Sequence, residues 1–122
     1  MPLSAPAREF VRVRLLSLIQ LDTALLLQSD VDVWWSAERL AQQLRVSVEA
    51  ARHALEELGA RNLLDVRIAN DLTYRFAPWH ESAAQLMAEV AENHYEAREI
   101  VARGGTAAAR FAEAFKVRKH DG

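Results

Sequence analysis

Glu89, Glu92, Glu96 and Glu99, with His94 among them, recur at three- and four-residue steps in "EVAENHYEARE". On a helix that spacing gathers carboxylates on one side, where they could ligate a cation or form a solvated acidic face paired with Arg98 and Arg103. The second reading is preferred. His53, His80, His94 and His120 are scattered, and no His-Glu-x-x-His spacing for zinc occurs. "ARGGTAAAR" has paired glycines but lacks the lysine followed by Ser or Thr of a phosphate-binding loop, and it follows a helical pattern, so it reads as a helix stop. Cysteine is absent, which removes disulfides, thiolate metal sites and a thiol nucleophile. No enzymatic activity, metal or cofactor is expected.

Arginine offers a different chemistry. In "RVSVEAARHALEELGAR", Ser47, Arg52 and His53 fall on the exposed side of a helix, where a guanidinium can address a guanine edge and a hydroxyl or imidazole a phosphate. Glu49 and Glu56 flank them and would repel a phosphate backbone; the alternative is a set of surface ion pairs. Arg45 precedes this helix, Arg61 follows it, and Arg67 and Arg75 alternate onto one side of a hairpin. These seven residues, Arg45, Ser47, Arg52, His53, Arg61, Arg67 and Arg75, are the candidate DNA contacts. The hairpin arginines could equally serve as a charged strand edge that resists aggregation. Arg8, Arg12 and Arg14 at one end and Lys116, Arg118, Lys119 and His120 at the other form two further basic clusters. They would follow DNA, bind an acidic partner or serve solubility.

The elements that carry these side chains follow from periodicity. Residues 1–7 read as a lead-in, and 8–14 fit either a short strand or the start of a helix. Leu15 to Gln28 is apolar almost all round and reads as an enclosed central helix. Val31, Val33, Trp34 and Trp35 predict a short strand, one Trp turned to the core and the other outward. Ser36 caps a helix with Leu40, Ala41 and Leu44 on one side, Val46 plugs the turn, and Ser47 caps a second helix with Val48, Ala51, Leu55 and Leu58 inward. Residues 63–68 and 72–77 alternate as a hairpin around "AND". From Trp79 to Arg103 no breaker occurs, which predicts one long helix, roughly 35 Å at 1.5 Å per residue. "AAARFAEAFKVRK" would add a last amphipathic turn or two.

The order of these elements, with "WWSAERLAQQLRVSVEAARHALEELGARNLLDV" and "YRFAP", resembles the bacterial winged helix-turn-helix regulator-like proteins. More narrowly, the chain through "RFAEAFKVRK" is similar to a group of small bacterial winged-helix proteins whose biochemical role is not established. The resemblance implies a mainly α fold with a small β-hairpin, a winged helix-turn-helix followed by a long C-terminal helix. The expected organisation is an N-terminal arm over 1–14, the winged domain over 15–78, the long helix over 79–103, and a short helix and basic tail over 104–122.

The implied function is a DNA-binding transcriptional regulator using the helix 47–60 and the wing 64–77, with duplex DNA as partner. The alternative is a protein-interaction module without DNA binding. A long apolar helix beside a closed core calls for a second surface, so a homodimer is expected through Leu86, Met87, Val90, Ala91, Ala97 and Val101. The net charge of −2 opposes a nonspecific nucleic-acid coat, although positive charge gathers at both ends and the middle is acidic. No signal-like start or membrane-length apolar run occurs, and the expected location is the cytoplasm. The charge test is whether Arg45, Arg52, Arg61, Arg67 and Arg75 share one face while arginines neutralise Glu49 and Glu56.

Overall fold

Serines mark where the helices begin. In the computed structural model, which describes residues 2–104, Ser4 caps α1 (Ala5–Arg14), Ser17 caps α2 (Leu18–Ser29), Ser36 caps α3 (Ala37–Leu44) and Ser47 caps α4 (Val48–Ala60). Each hydroxyl accepts a backbone N–H three residues on, at 3.0–3.3 Å, and so satisfies a donor that the first helical turn cannot. His80 does the same for α5 (Glu81–Glu92), its Nδ1 accepting the Ser82 N–H at 3.1 Å.

α3 and α4 pack across the turn at Arg45–Ser47 and lie against α2. Arg45 closes α3 in the left-handed region, φ 58°, with its N–H donated to the Ala41 carbonyl. Leu55 and Leu58 of α4, Leu21 and Leu27 of α2 and Leu40 of α3 are fully buried. Burial of that kind contributes about 1.5–3 kcal/mol per large apolar side chain. β1 (Leu64–Ile68) and β2 (Leu72–Phe76) form an antiparallel hairpin with Asp65 opposite Arg75 and Arg67 opposite Thr73. Leu64, Tyr74 and Phe76 turn into the core, with Gly59 of α4 beside Tyr74 and Val66.

Several expectations differ from the fold. The stretch 8–14, open between strand and helix, is helical, and the lead-in is packed: Leu3 and Ala7 are buried and α1 lies against α5. The enclosed helix begins at Leu18 and not Leu15, because the Gln20 side chain accepts the Leu16 N–H at 3.0 Å and Ser17 restarts the helix. The predicted strand at Val31–Trp35 reduces to a single bridge, Trp35 to Tyr74, with hydrogen bonds of 2.7 and 2.8 Å in the two directions. Its alternation holds: Trp35 is buried and Trp34 half-buried.

The long helix is also broken. α5 ends at Asn93, φ −131°, whose N–H is shared between the carbonyls of Glu89 and Val90, and helix resumes over 94–104. The break lets both segments reach the start of α1. Glu89 accepts the Ser4 N–H and hydroxyl at 2.8 and 2.9 Å, while Glu96 accepts the Leu3 N–H at 3.0 Å and the Arg8 Nε–H at 3.1 Å. Arg98 pairs with Asp22 of α2. The acidic stretch is thus tied to α1 through Arg8, and Arg98 turns to α2, in place of the expected pairing of that stretch with Arg98 and Arg103. The short helix after residue 104 and the basic cluster Lys116 to His120 lie outside the described residues.

Candidate nucleic-acid interface

α4 presents its outer side to solvent because Ala51, Ala54, Leu55 and Leu58 take up the inner one. Glu49, Arg52, His53 and Glu56 are all exposed on it, with Ser47 and Arg45 exposed at its entry. Arg52 approaches Glu38 of α3 at 3.9 Å with both side chains half in water, a weak tie that leaves the guanidinium free to move. Glu49 and Glu56 have no ion-pair partner among the described residues. The face is therefore of mixed charge. Arg52, Glu38 and Tyr74 border a cleft of about 230 Å³ whose other wall is the wing tip, Asn70, Asp71 and Leu72. Burial, and secondarily the charge of Glu56, push the Tyr74 phenol above its ordinary value of 10.0, while Arg52 acts the other way.

The wing arginines lie on the opposite side of the hairpin from Tyr74, since strand neighbours face alternate ways. There both guanidiniums rest over the Trp34 ring, Arg67 at 4.5 Å and Arg75 at 4.6 Å from its centroid. Arg75 also reaches Asp65, the residue opposite it in the ladder, at 3.4 Å. Cation–π attraction explains how two like charges share so small an area.

Arg61 does not join either group. Only 17% of its side chain is exposed, and it bridges Glu57 at 2.8 Å and the buried Gln20 at 2.9 Å, bracing α4 against α2. The five arginines do not converge on one face: Arg67 and Arg75 are brought together, Arg52 lies on the far side of the hairpin, and Arg61 is withdrawn. Sequence reasoning did not find Trp34 as the shared support, although its place one residue before a core-facing Trp was a usable signal.

The residues expected to form a dimer interface divide similarly. Met87, Val90, Ala97 and Val101 are buried within the chain, so they form part of its own core, while Leu86 and Ala91 are partly exposed. Apart from Tyr95 on the 94–104 segment, the large apolar side chains left in solvent are elsewhere. Val13, Leu16 and Leu18 surround the α1–α2 junction, Trp79 stands beside Arg14, and Val66, Ile68 and Leu72 line one face of the wing.

No protein-family model matches the sequence, and no curated protein matches it. Among solved structures, the chain is similar to an apo-form mutant of ZitR from Lactococcus lactis, with a TM-score of 0.54, 18% identity, and 84% of this chain and 83% of that one covered. It is also similar to the adhesin competence repressor AdcR from Streptococcus pyogenes, at a TM-score of 0.53 and 18% identity, covering 88% and 85%. The chain has a winged helix-turn-helix fold. At such identity the likeness establishes the fold and leaves the chemistry of the face to be argued from its residues. Among the described residues no group of three His, Asp or Glu is placed to hold a metal ion, and no helix is long and apolar enough to cross a membrane.

Proposed function

We propose that this protein is a DNA-binding transcriptional regulator and not an enzyme. The observation that carries the reading is the α3–turn–α4 pair, locked by α2 on one side and open along Ser47, Arg52 and His53 on the other. α4 enters the major groove from its Ser47 end, with Arg52 reading a base edge and Arg45 and His53 on flanking phosphates. Arg67 and Arg75 take the backbone beside the wing; Arg61 has no part in it. The repressor name of one structural neighbour is in keeping with this. In this reading residues 15–78 form the DNA-binding unit, and α1, its junction with α2, and the segment from Trp79 through 104 carry assembly into a two-fold dimer. Val13, Leu16, Leu18 and Trp79 supply its exposed apolar surface, joined by Leu86 and Ala91. A dimer gives a two-part site its spacing. A cytoplasmic location follows from the role.

The test is anisotropy of a random-sequence DNA duplex titrated at low and moderate salt. Binding that weakens steeply with salt is expected, with Arg67→Ala plus Arg75→Ala lowering the slope of log affinity against log salt by about two. No binding at low salt would remove the reading. The second reading, a protein-interaction module, would then stand, favoured by unpaired Glu49 and Glu56 and by Ile68, 81% exposed on the wing.

A further inference from the structure

Trp34 occupies an unusual place in the hairpin. The single antiparallel bridge between Trp35 and Tyr74 lays residues 34–35 along the β2 edge, and its register sets Trp34 opposite Arg75. Arg75 is in turn opposite Asp65, and Arg67 reaches across from β1. One indole thus supports guanidiniums from both strands. A guanidinium held over an aromatic ring by cation–π attraction spends no N–H on that contact, so its donors remain available to an anion. Asp65 engages only one nitrogen of Arg75, at 3.4 Å, and Arg67 is in no ion pair among the described residues.

We infer that Trp34 is a positioning residue, which holds Arg67 and Arg75 as a prearranged pair for two phosphates of the DNA backbone flanking the α4 site. The inference rests on the DNA-binding reading. An unsupported arginine on a hairpin loses side-chain freedom when it grips a phosphate, and the contact with Trp34 removes much of that loss in advance. The pair also lies on the side of the hairpin away from the Arg52 cleft, so it lengthens the footprint along the duplex and leaves base reading to α4. A structural role for Trp34 is modest by comparison: it is half-buried, whereas Trp35, the bridging residue, is in the core.

The experiment is a double-mutant cycle on the full chain, with Trp34→Leu and the pair Arg67→Ala, Arg75→Ala, read by anisotropy on a random-sequence duplex across a salt series. Trp34→Tyr is the conservative variant, and melting temperatures establish that each protein is folded. Trp34→Leu is expected to weaken binding about three- to tenfold, the effect of freeing one or two ordered side chains. It should have no further effect once both arginines are gone, and Trp34→Tyr should restore most of the affinity because it keeps a π-face. An equal loss from Trp34→Leu with and without the arginines would overturn the proposal, as would unchanged affinity in Trp34→Leu. Absence of DNA binding by the unaltered protein overturns the functional reading and this inference together; binding that is indifferent to Trp34 overturns the inference alone.

Discussion

Arg61→Ala separates a structural arginine from a DNA-contacting one. The side chain donates to the Gln20 Oε1 at 2.9 Å and pairs with Glu57 at 2.8 Å, with 17% of the arginine and 37% of the glutamate side chain exposed. A hydrogen bond from a charged donor in so enclosed a place is worth about 1.5 kcal/mol. The Glu57 pair adds about 0.5 kcal/mol after allowing for solvent screening of its partly exposed carboxylate. Gln20 is not left without a partner, because the Leu16 N–H still donates to the same oxygen at 3.0 Å, so no further penalty for a buried orphan applies. The expected loss is about 2 kcal/mol, which for a chain of this size lowers the melting temperature by roughly 8 °C. Urea unfolding followed by circular dichroism measures the first quantity and a thermal scan the second. DNA affinity at a temperature where the variant is fully folded should change less than twofold. Stability lost by under about 0.5 kcal/mol, or affinity lost severalfold with stability intact, would refute the brace and return Arg61 to the DNA surface.

Other outcomes follow from the same geometry. Tyr74 has a folded-state value raised above 10.0, mainly by burial, so its contribution to stability is whole below pH 10 and declines as pH rises through the higher folded value. Unfolding free energy should fall more steeply above pH 10 in the natural protein than in Tyr74→Phe, and parallel curves would contradict the burial argument. Glu49→Gln with Glu56→Gln removes two unpaired charges from the α4 face and should tighten DNA binding severalfold at low salt; weaker binding would mean that the carboxylates themselves make contacts. Loss of the wing charges by Arg67→Ala and Arg75→Ala should weaken binding uniformly across DNA sequences, since phosphate contacts carry no sequence information.

The caps at Ser36 and Ser47, the α3–turn–α4 pair and the hairpin were legible because each depends on residues close in the chain. Ser36 and Ser47 each accept an N–H three residues on in the helix they cap, Leu55 and Leu58 repeat at helical spacing, and Tyr74 and Phe76 alternate with Arg75. Tertiary contacts decided the rest. The break before Leu18 comes with the Gln20 side chain, which accepts the nearby Leu16 N–H and also Arg61 from 41 residues away, and the break at Asn93 comes with two glutamates reaching the start of α1 from 85 or more residues away in sequence. Met87, Val90, Ala97 and Val101 read as a free apolar surface from periodicity alone, since periodicity says that a face must be covered and not by what; the chain's own core covers it. The arginines show the same division. Alternation placed Arg67 and Arg75 on one side of a hairpin, but only the bridge between Trp35 and Tyr74 brought Trp34 beneath them. Arg61, at the C-terminal end of α4, was drawn inward by Gln20 across 41 residues of sequence. Local sequence determined which side chains face outward within an element, and packing between distant elements decided which of those remained available to a partner.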